Sequence, residues 1–218
     1  MELGDIQFST LPAKQGVLGL IVLNRPRALN ALSFDMLAEL KKQLTAWHQQ
    51  DDVMAVVIKS ACPKAFCAGG DVRSLYESRL RRFGVSHPYF SLEYGLNQFL
   101  HDFNKPYIAF LDGLTMGGGV GISLHGSHSV GTKNLTWAMP ESKLGFFPDV
   151  GASHYLSRAP EMLGWYLALS GRSIDVETAF DLHVVDCVIE SDQWAEVEQS
   201  LQTVEFGEDR FATVDDVL

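Results

Sequence analysis

Residues 65–71 read AFCAGGD and residues 116–121 read MGGGVG; each glycine-rich turn follows an apolar, strand-like segment and precedes a helix-like one. Such a turn leaves backbone N–H groups without partners and sets the positive end of a helix dipole behind them, which favours negative charge between the two turns. A single glycine turn is ambiguous, because glycines also mark bulges and close packing. Two of them, followed by the carboxylates Glu141 and Asp149 in short turn-like segments, predict an oxyanion hole with acid–base groups beside it.

Outward from these turns, strands alternate with helices, the order of an α/β protein. Residues 18–23, 53–59 and 107–111 are β-branched or apolar runs bounded by turn residues, and 136–139 and 184–189 add further strands. Ser33 is the expected N-cap of a helix reaching Gln50, with Leu37, Leu40, Leu44 and Trp47 forming one apolar stripe. Helices are also predicted over 71–82, 88–103, 118–125, 150–157, 161–169 and 193–203. The arginine-rich stretch 77–87 reads as a mobile loop or a frayed helix end.

The chain has 218 residues, 46% of them hydrophobic and 20% charged, enough to bury one full core. A net charge of −10 argues against nucleic acid as a partner, since phosphate binding needs an excess of Lys and Arg on one face. Arg25, Arg27, Lys64 and Arg73 beside predicted strand ends either hold a phosphorylated ligand or form a solvated surface. No basic leader and no apolar run of membrane-spanning length is present, so a soluble, cytoplasmic protein is expected. Three cysteines, Cys62, Cys67 and Cys187, form no even framework, which fits a reducing compartment. Cys67 is either a nucleophile at a helix N-terminus or a small buried residue of the turn; no His stands near it in sequence to act as base.

Glu93 shares a helix face with Tyr89, Leu96 and Leu100. Its carboxylate therefore either projects from an apolar stripe into a site or lies at the edge of the stripe, bonded to an Arg or a backbone group. Asp149 directly precedes a helix-like segment, where its default role is an N-cap, although a capping carboxylate can also face a ligand. His125 and His128 lack the Cys or carboxylate spacing of a metal site, and none is expected. His154 and Tyr155 either line a pocket or face solvent.

Five ordered motifs carry a resemblance: NRPRALNAL (24–32), KAFCAGGDV (64–72), MGGGVG (116–121), AMPE (138–141) and GFFPDVGAS (145–153). Together they resemble the crotonase (enoyl-CoA hydratase/isomerase) superfamily over about residues 16–203, and within it the 3-hydroxyisobutyryl-CoA hydrolase branch. The resemblance implies a crotonase-like spiral of β-β-α turns with flanking helices. It implies an oxyanion hole from the N–H groups of Ala68 and Gly118, a pantetheine path along Ala68, Gly69, Gly70 and Asp71, and Ala28 near the CoA nucleotide. Hydratases and dienoyl-CoA isomerases of the superfamily carry an acid where this chain has Gly121. The hydrolase branch lacks that acid and matches Glu93, Gly118, Glu141 and Asp149. Hydrolysis of a short 3-hydroxyacyl-CoA is therefore the implied activity, with Glu141 and Asp149 catalytic, Glu93 binding substrate, and no cofactor beyond the substrate's own CoA. Hydratase or isomerase chemistry, and a non-catalytic acyl-CoA-binding module, are the alternatives. Hydrolase-branch chains continue well past the length of this one, so 1–203 is expected to form the core and 204–218 the start of a shortened C-terminal helical part. An open site or exposed apolar patch would follow, and a homo-oligomer stays open.

Overall fold

Strand Ile6–Pro12 (β1) pairs antiparallel with Val17–Leu23 (β2), and the rest of the large sheet is parallel. The computed structural model describes residues 4–80 and 86–218. Val53–Ser60 (β3) lies beside β2, and its uninterrupted apolar run is explained by burial on both faces. Val53, Val56 and Ile58 join the main core, while Met54, Ala55 and Val57 pack into a second core on the other face. Tyr107–Leu111 (β5), His128–Thr132 (β7) and Cys187–Ile189 (β9) complete a six-stranded sheet of order β1-β2-β3-β5-β7-β9.

A second, three-stranded parallel sheet is made of Ala65–Cys67 (β4), Leu114–Met116 (β6) and Thr136–Ala138 (β8). Each turn of the chain lays one strand in the large sheet and the next in the small one before entering a helix. This is the expected β-β-α spiral, and the strands of the small sheet deliver the glycine turns to one place. The expectation that 184–189 is all strand is corrected, since Val184 and Val185 are buried in the turn before β9.

Helix α1 (Phe34–His48) begins at Ser33, whose hydroxyl accepts the Met36 N–H at 3.2 Å, a cap worth about 1 kcal/mol. Its predicted stripe of Leu37, Leu40, Leu44 and Trp47 is buried, and Met36 is buried beside it, each side chain contributing roughly 1.5–3 kcal/mol. The helices α2 (Val72–Leu80) and α3 (Ser86–His101) follow β4. Of the stretch 77–87, residues 77–80 close α2 and 86–87 open α3; residues 81–85 lie outside the described residues. Helix α4 is only Gly118–Gly121, shorter than predicted, and α5 (Ala152–Leu156), α6 (Leu163–Ser170), α7 (Val176–Asp181), α8 (Trp194–Thr203) and α9 (Arg210–Asp215) complete the chain. Phe206 and Val214 are buried in the second core, and Arg210 donates to Val53 O at 3.1 Å. Leu144, Phe146, Phe147, Trp165 and Leu169 are exposed apolar side chains. No described helix is long and apolar enough to cross a membrane.

Candidate active site

The first glycine turn is built on Asn30. This fully buried side chain donates to Ser60 Oγ at 2.7 Å and Phe66 O at 2.8 Å, and accepts the Arg25 N–H at 2.8 Å. Beyond β4 the chain turns at Gly69, with φ +110°, a conformation that side-chain-bearing residues rarely adopt. The Ala68 N–H donates to Leu29 O at 2.9 Å. That corrects the expectation that Ala68 supplies an oxyanion donor, because its N–H is already used to join the turn to the loop at 28–30. The N–H groups of Gly70 and Gly118 enter no backbone hydrogen bond among the described residues outside regular helices and strands. A Cβ on Gly118 would come within 3.3 Å of the Gly70 nitrogen, so the two stand side by side.

The second turn is closed around carboxylates. A Cβ on Gly117, at φ +49°, would lie 2.7 Å from Glu141 Oε1, and one on Gly118 would lie 2.5 Å from Glu93 Oε1. The positive φ favours glycine at 117, and a Cβ at either position would push a catalytic-cleft carboxylate aside. Glu93 is 3% exposed, so it projects from the buried face of α3 and is not at the stripe's edge. Glu141 opens a short 3-10 helix, Glu141–Leu144, after Pro140, and its Oε2 is buried with no hydrogen-bond partner among the described residues.

Asp149 does not cap a helix as its sequence position suggests. The N-cap of α5 is Gly151 in a left-handed conformation without a side-chain bond, and the Asp149 carboxylate instead accepts the Tyr94 hydroxyl at 2.7 Å. Glu93, Glu141 and Asp149 line one cleft of about 330 Å³ together with Ala68, Gly69, Gly70, Gly117 and Gly118. Val72, Leu75, Tyr89, Phe90 and Phe146 form its apolar wall.

Burial first, then the charge of Asp149, then that of Glu141, pushes Glu93 up to about 8, against the easing effect of the Tyr89 hydroxyl. Glu141 rises to about 7, chiefly from burial and further from Asp149. Burial also raises Asp149, a rise that the Tyr94 hydroxyl limits. Three carboxyls in one desolvated cleft thus share fewer than three negative charges near neutral pH.

Two sequence candidates stand outside this cleft lining. Asp71 pairs with Arg25 at 2.9 Å and accepts the Ser74 N–H at 3.0 Å, anchoring the start of α2. Burial works to raise its carboxyl, and the bonds from Ser74 and Arg25 outweigh that and hold it low. Ala28, half-buried in the 3-10 helix Pro26–Ala28, does not line the cleft. Cys67 is fully buried beneath the turn, and burial pushes its thiol up to about 12, which removes it as a nucleophile at neutral pH. Sequence reading overlooked Tyr94, whose place one residue after Glu93 puts it on a neighbouring helix face, facing Asp149. It also overlooked Asn97, one helical turn beyond Glu93, which donates to Gly121 O at 2.9 Å. A Cβ on Gly121 would lie 2.8 Å from Asn97 Nδ2 and 2.9 Å from Val150 Cβ, so an acid side chain has no room there.

The sequence model of the enoyl-CoA hydratase/isomerase family matches residues 18–218. The chain belongs to that family. Among its curated relatives are proteins named 3-hydroxyisobutyryl-CoA hydrolase, mitochondrial, from Gallus gallus (40% identical, covering 90% of this chain and 51% of the relative) and Homo sapiens (39%, 90% and 51%). The chain spans about half the length of these relatives. Family members with solved structures include a carnitinyl-CoA dehydratase from Mycobacterium thermoresistibile, at 35% identity and TM-score 0.86, covering 98% of this chain and 59% of the other. An enoyl-CoA hydratase from Rhodobacter sphaeroides is 31% identical with TM-score 0.85, covering 98% and 64%. The crotonase fold and the family's CoA-thioester chemistry thus match the sequence motifs.

Proposed function

We propose that this chain hydrolyses a short 3-hydroxyacyl-CoA thioester, with 3-hydroxyisobutyryl-CoA as the preferred substrate. The observation that carries the reading is the convergence of Glu93, Glu141 and Asp149 beside the Gly70 and Gly118 N–H groups, with no space for an acid at Gly121. The acid that hydratases of the superfamily carry at the Gly121 position for water addition is missing here. The names of the relatives support hydrolysis, and the apolar wall of Val72, Leu75 and Phe90 suits a small branched acyl group.

In this reading the thioester carbonyl oxygen lies between the N–H groups of Gly70 and Gly118, whose bonds strengthen as the oxygen gains charge. Glu141, about half ionised at neutral pH, either attacks the carbonyl carbon to form a mixed anhydride or takes a proton from the attacking water. Collapse of the tetrahedral intermediate expels the CoA thiolate, which takes a proton from protonated Asp149; where Glu141 is the nucleophile, a water then hydrolyses the anhydride, releasing the hydroxy acid and the Glu141 carboxylate. Glu93, largely neutral at pH 7, donates a hydrogen bond to the substrate's 3-hydroxyl at the closed end of the pocket. The reaction calls for no separate cofactor, since CoA arrives with the substrate.

Glu141→Gln tests the assignment. Thiol release from 3-hydroxyisobutyryl-CoA should fall by at least about 100-fold, while binding of the thioester, followed as a rise in Tm, persists. Undiminished release in the variant would remove Glu141 from the mechanism, and hydration of crotonyl-CoA by the wild-type chain without thiol release would replace hydrolysis with hydratase chemistry.

A further inference from the structure

Asp149 lines two clefts. Behind the catalytic one lies a second of about 540 Å³, also lined by Tyr94, Asn97, His101, His125 and His154. Nothing in the proposed reaction uses it.

Two features of this cleft point to a ligand. Asn97 is 6% exposed; its Nδ2 is taken by Gly121 O, while its Oδ1 is buried without a hydrogen-bond partner among the described residues. A buried amide oxygen in that state calls for an O–H or N–H donor from whatever fills the space. The second feature is the convergence of three imidazoles. His125 is fixed by Nε2 against Val150 O at 2.6 Å, the Arg158 guanidinium donates to His154 Nε2, and His101 lies in the last turn of α3. Burial, and then the neighbouring His101 and His154, hold His125 below its ordinary value despite the Val150 carbonyl, so the ring is neutral at pH 7 and its one N–H is taken by that carbonyl. The carboxylate facing the same space is Asp149, whose Oδ2 already accepts the Tyr94 hydroxyl.

We propose that this second cleft binds a small hydroxycarboxylate, its hydroxyl donating to Asn97 Oδ1 and its carboxylate facing His101 and His154. Because Asp149 lines both clefts and is held by Tyr94 in the second one, an occupant there acts on the carboxylate that takes part in turnover. This coupling rests on the hydrolase reading, in which the product is itself a 3-hydroxy acid; the binding site does not. The product then slows its own formation without competing with the thioester.

The test titrates 3-hydroxyisobutyrate, isobutyrate and inorganic phosphate into the protein while the histidine ring resonances are followed by NMR. The hydroxy acid should shift the resonances lost in a His101→Gln/His154→Gln double variant, both positions being exposed. Isobutyrate, lacking the hydroxyl, should bind at least about 10-fold more weakly. In the thiol-release assay the hydroxy acid should inhibit non-competitively against the thioester, and the double variant should keep its uninhibited rate while losing that inhibition. Equal binding of isobutyrate or phosphate would overturn the hydroxy-acid assignment, and purely competitive inhibition that survives in the double variant would move the ligand to the catalytic cleft. Ring shifts in a protein that releases no thiol would support the site and count against the hydrolase reading instead.

Discussion

Replacing Glu93 by glutamine should make the protein more stable and less active, and the stability gain should depend on pH in a defined direction. Glu93 titrates at about 8 in the folded protein against an ordinary 4.5. Between those values the folded state holds a proton that the unfolded chain has lost, so stability falls as pH rises through the window. At about 1.4 kcal/mol per pH unit, the accumulated loss by pH 8.5 is on the order of 3–5 kcal/mol. The glutamine side chain of the Glu93→Gln variant fills the same space without a charge and escapes this loss. Urea denaturation at pH 4.5, 6, 7 and 8.5 should give curves for wild type and variant that agree at the acid end and separate progressively, the variant unfolding about 10 °C higher in a thermal scan at pH 8.5. A variant less stable than wild type at pH 8.5, or a difference independent of pH, would refute the claim that Glu93 is a strained neutral acid. It would mean instead that the carboxylate is held ionised by donors.

Thiol release should follow a bell-shaped pH profile, rising as Glu141 ionises near about 7 and falling as Glu93 loses its proton near about 8; a rate flat from pH 6 to 9 would dissociate both groups from the rate-determining step. Tyr94→Phe removes the 2.7 Å bond to Asp149 and should lower kcat about 10-fold with KM little changed and stability within about 1 kcal/mol of wild type, as steady-state kinetics and urea melts would register. Asn30→Ala strands the Ser60, Phe66 and Arg25 partners and puts alanine at φ +57°, so a loss of about 2–4 kcal/mol is expected from denaturant titration.

The parts of this molecule that were legible in the sequence are those where one local signal has one physical meaning. The buried stripe of α1 and the apolar run of β3 are such cases, and so are the glycines at 69 and 117, each tied to a positive φ. Short strands were harder. β4 and β6 are three residues each, too short to establish a period, and they exist because the spiral pairs them with each other and with β8. At the site, residue types were readable but assignments of individual atoms were not. Ala68 and Gly70 lie in the same motif, and which of them offers its N–H depends on Leu29 O, a long-range partner. Asp149 has the sequence context of an N-cap, yet Gly151 takes that role and Tyr94, 55 residues away, takes the carboxylate.

The same long-range convergence explains why the cleft can be both costly and useful. Burial raises both Glu93 and Glu141, and the charge of Asp149 raises both further, so the cleft holds one acid neutral enough to donate and the other close enough to neutrality to ionise on demand. Moving Asp149 away would lower both values toward those set by burial and relieve the folded state, leaving Glu141 a weaker base. The Tyr94 hydroxyl holds Asp149 within reach of both acids while limiting its own rise. Glycine at 117 and 118 leaves room for this arrangement, since a side chain at either position would displace the Glu141 or Glu93 oxygen. The destabilising proximity of the carboxyls and their proposed catalytic poise are therefore one property, which is why a single neutral substitution should move stability and rate in opposite directions.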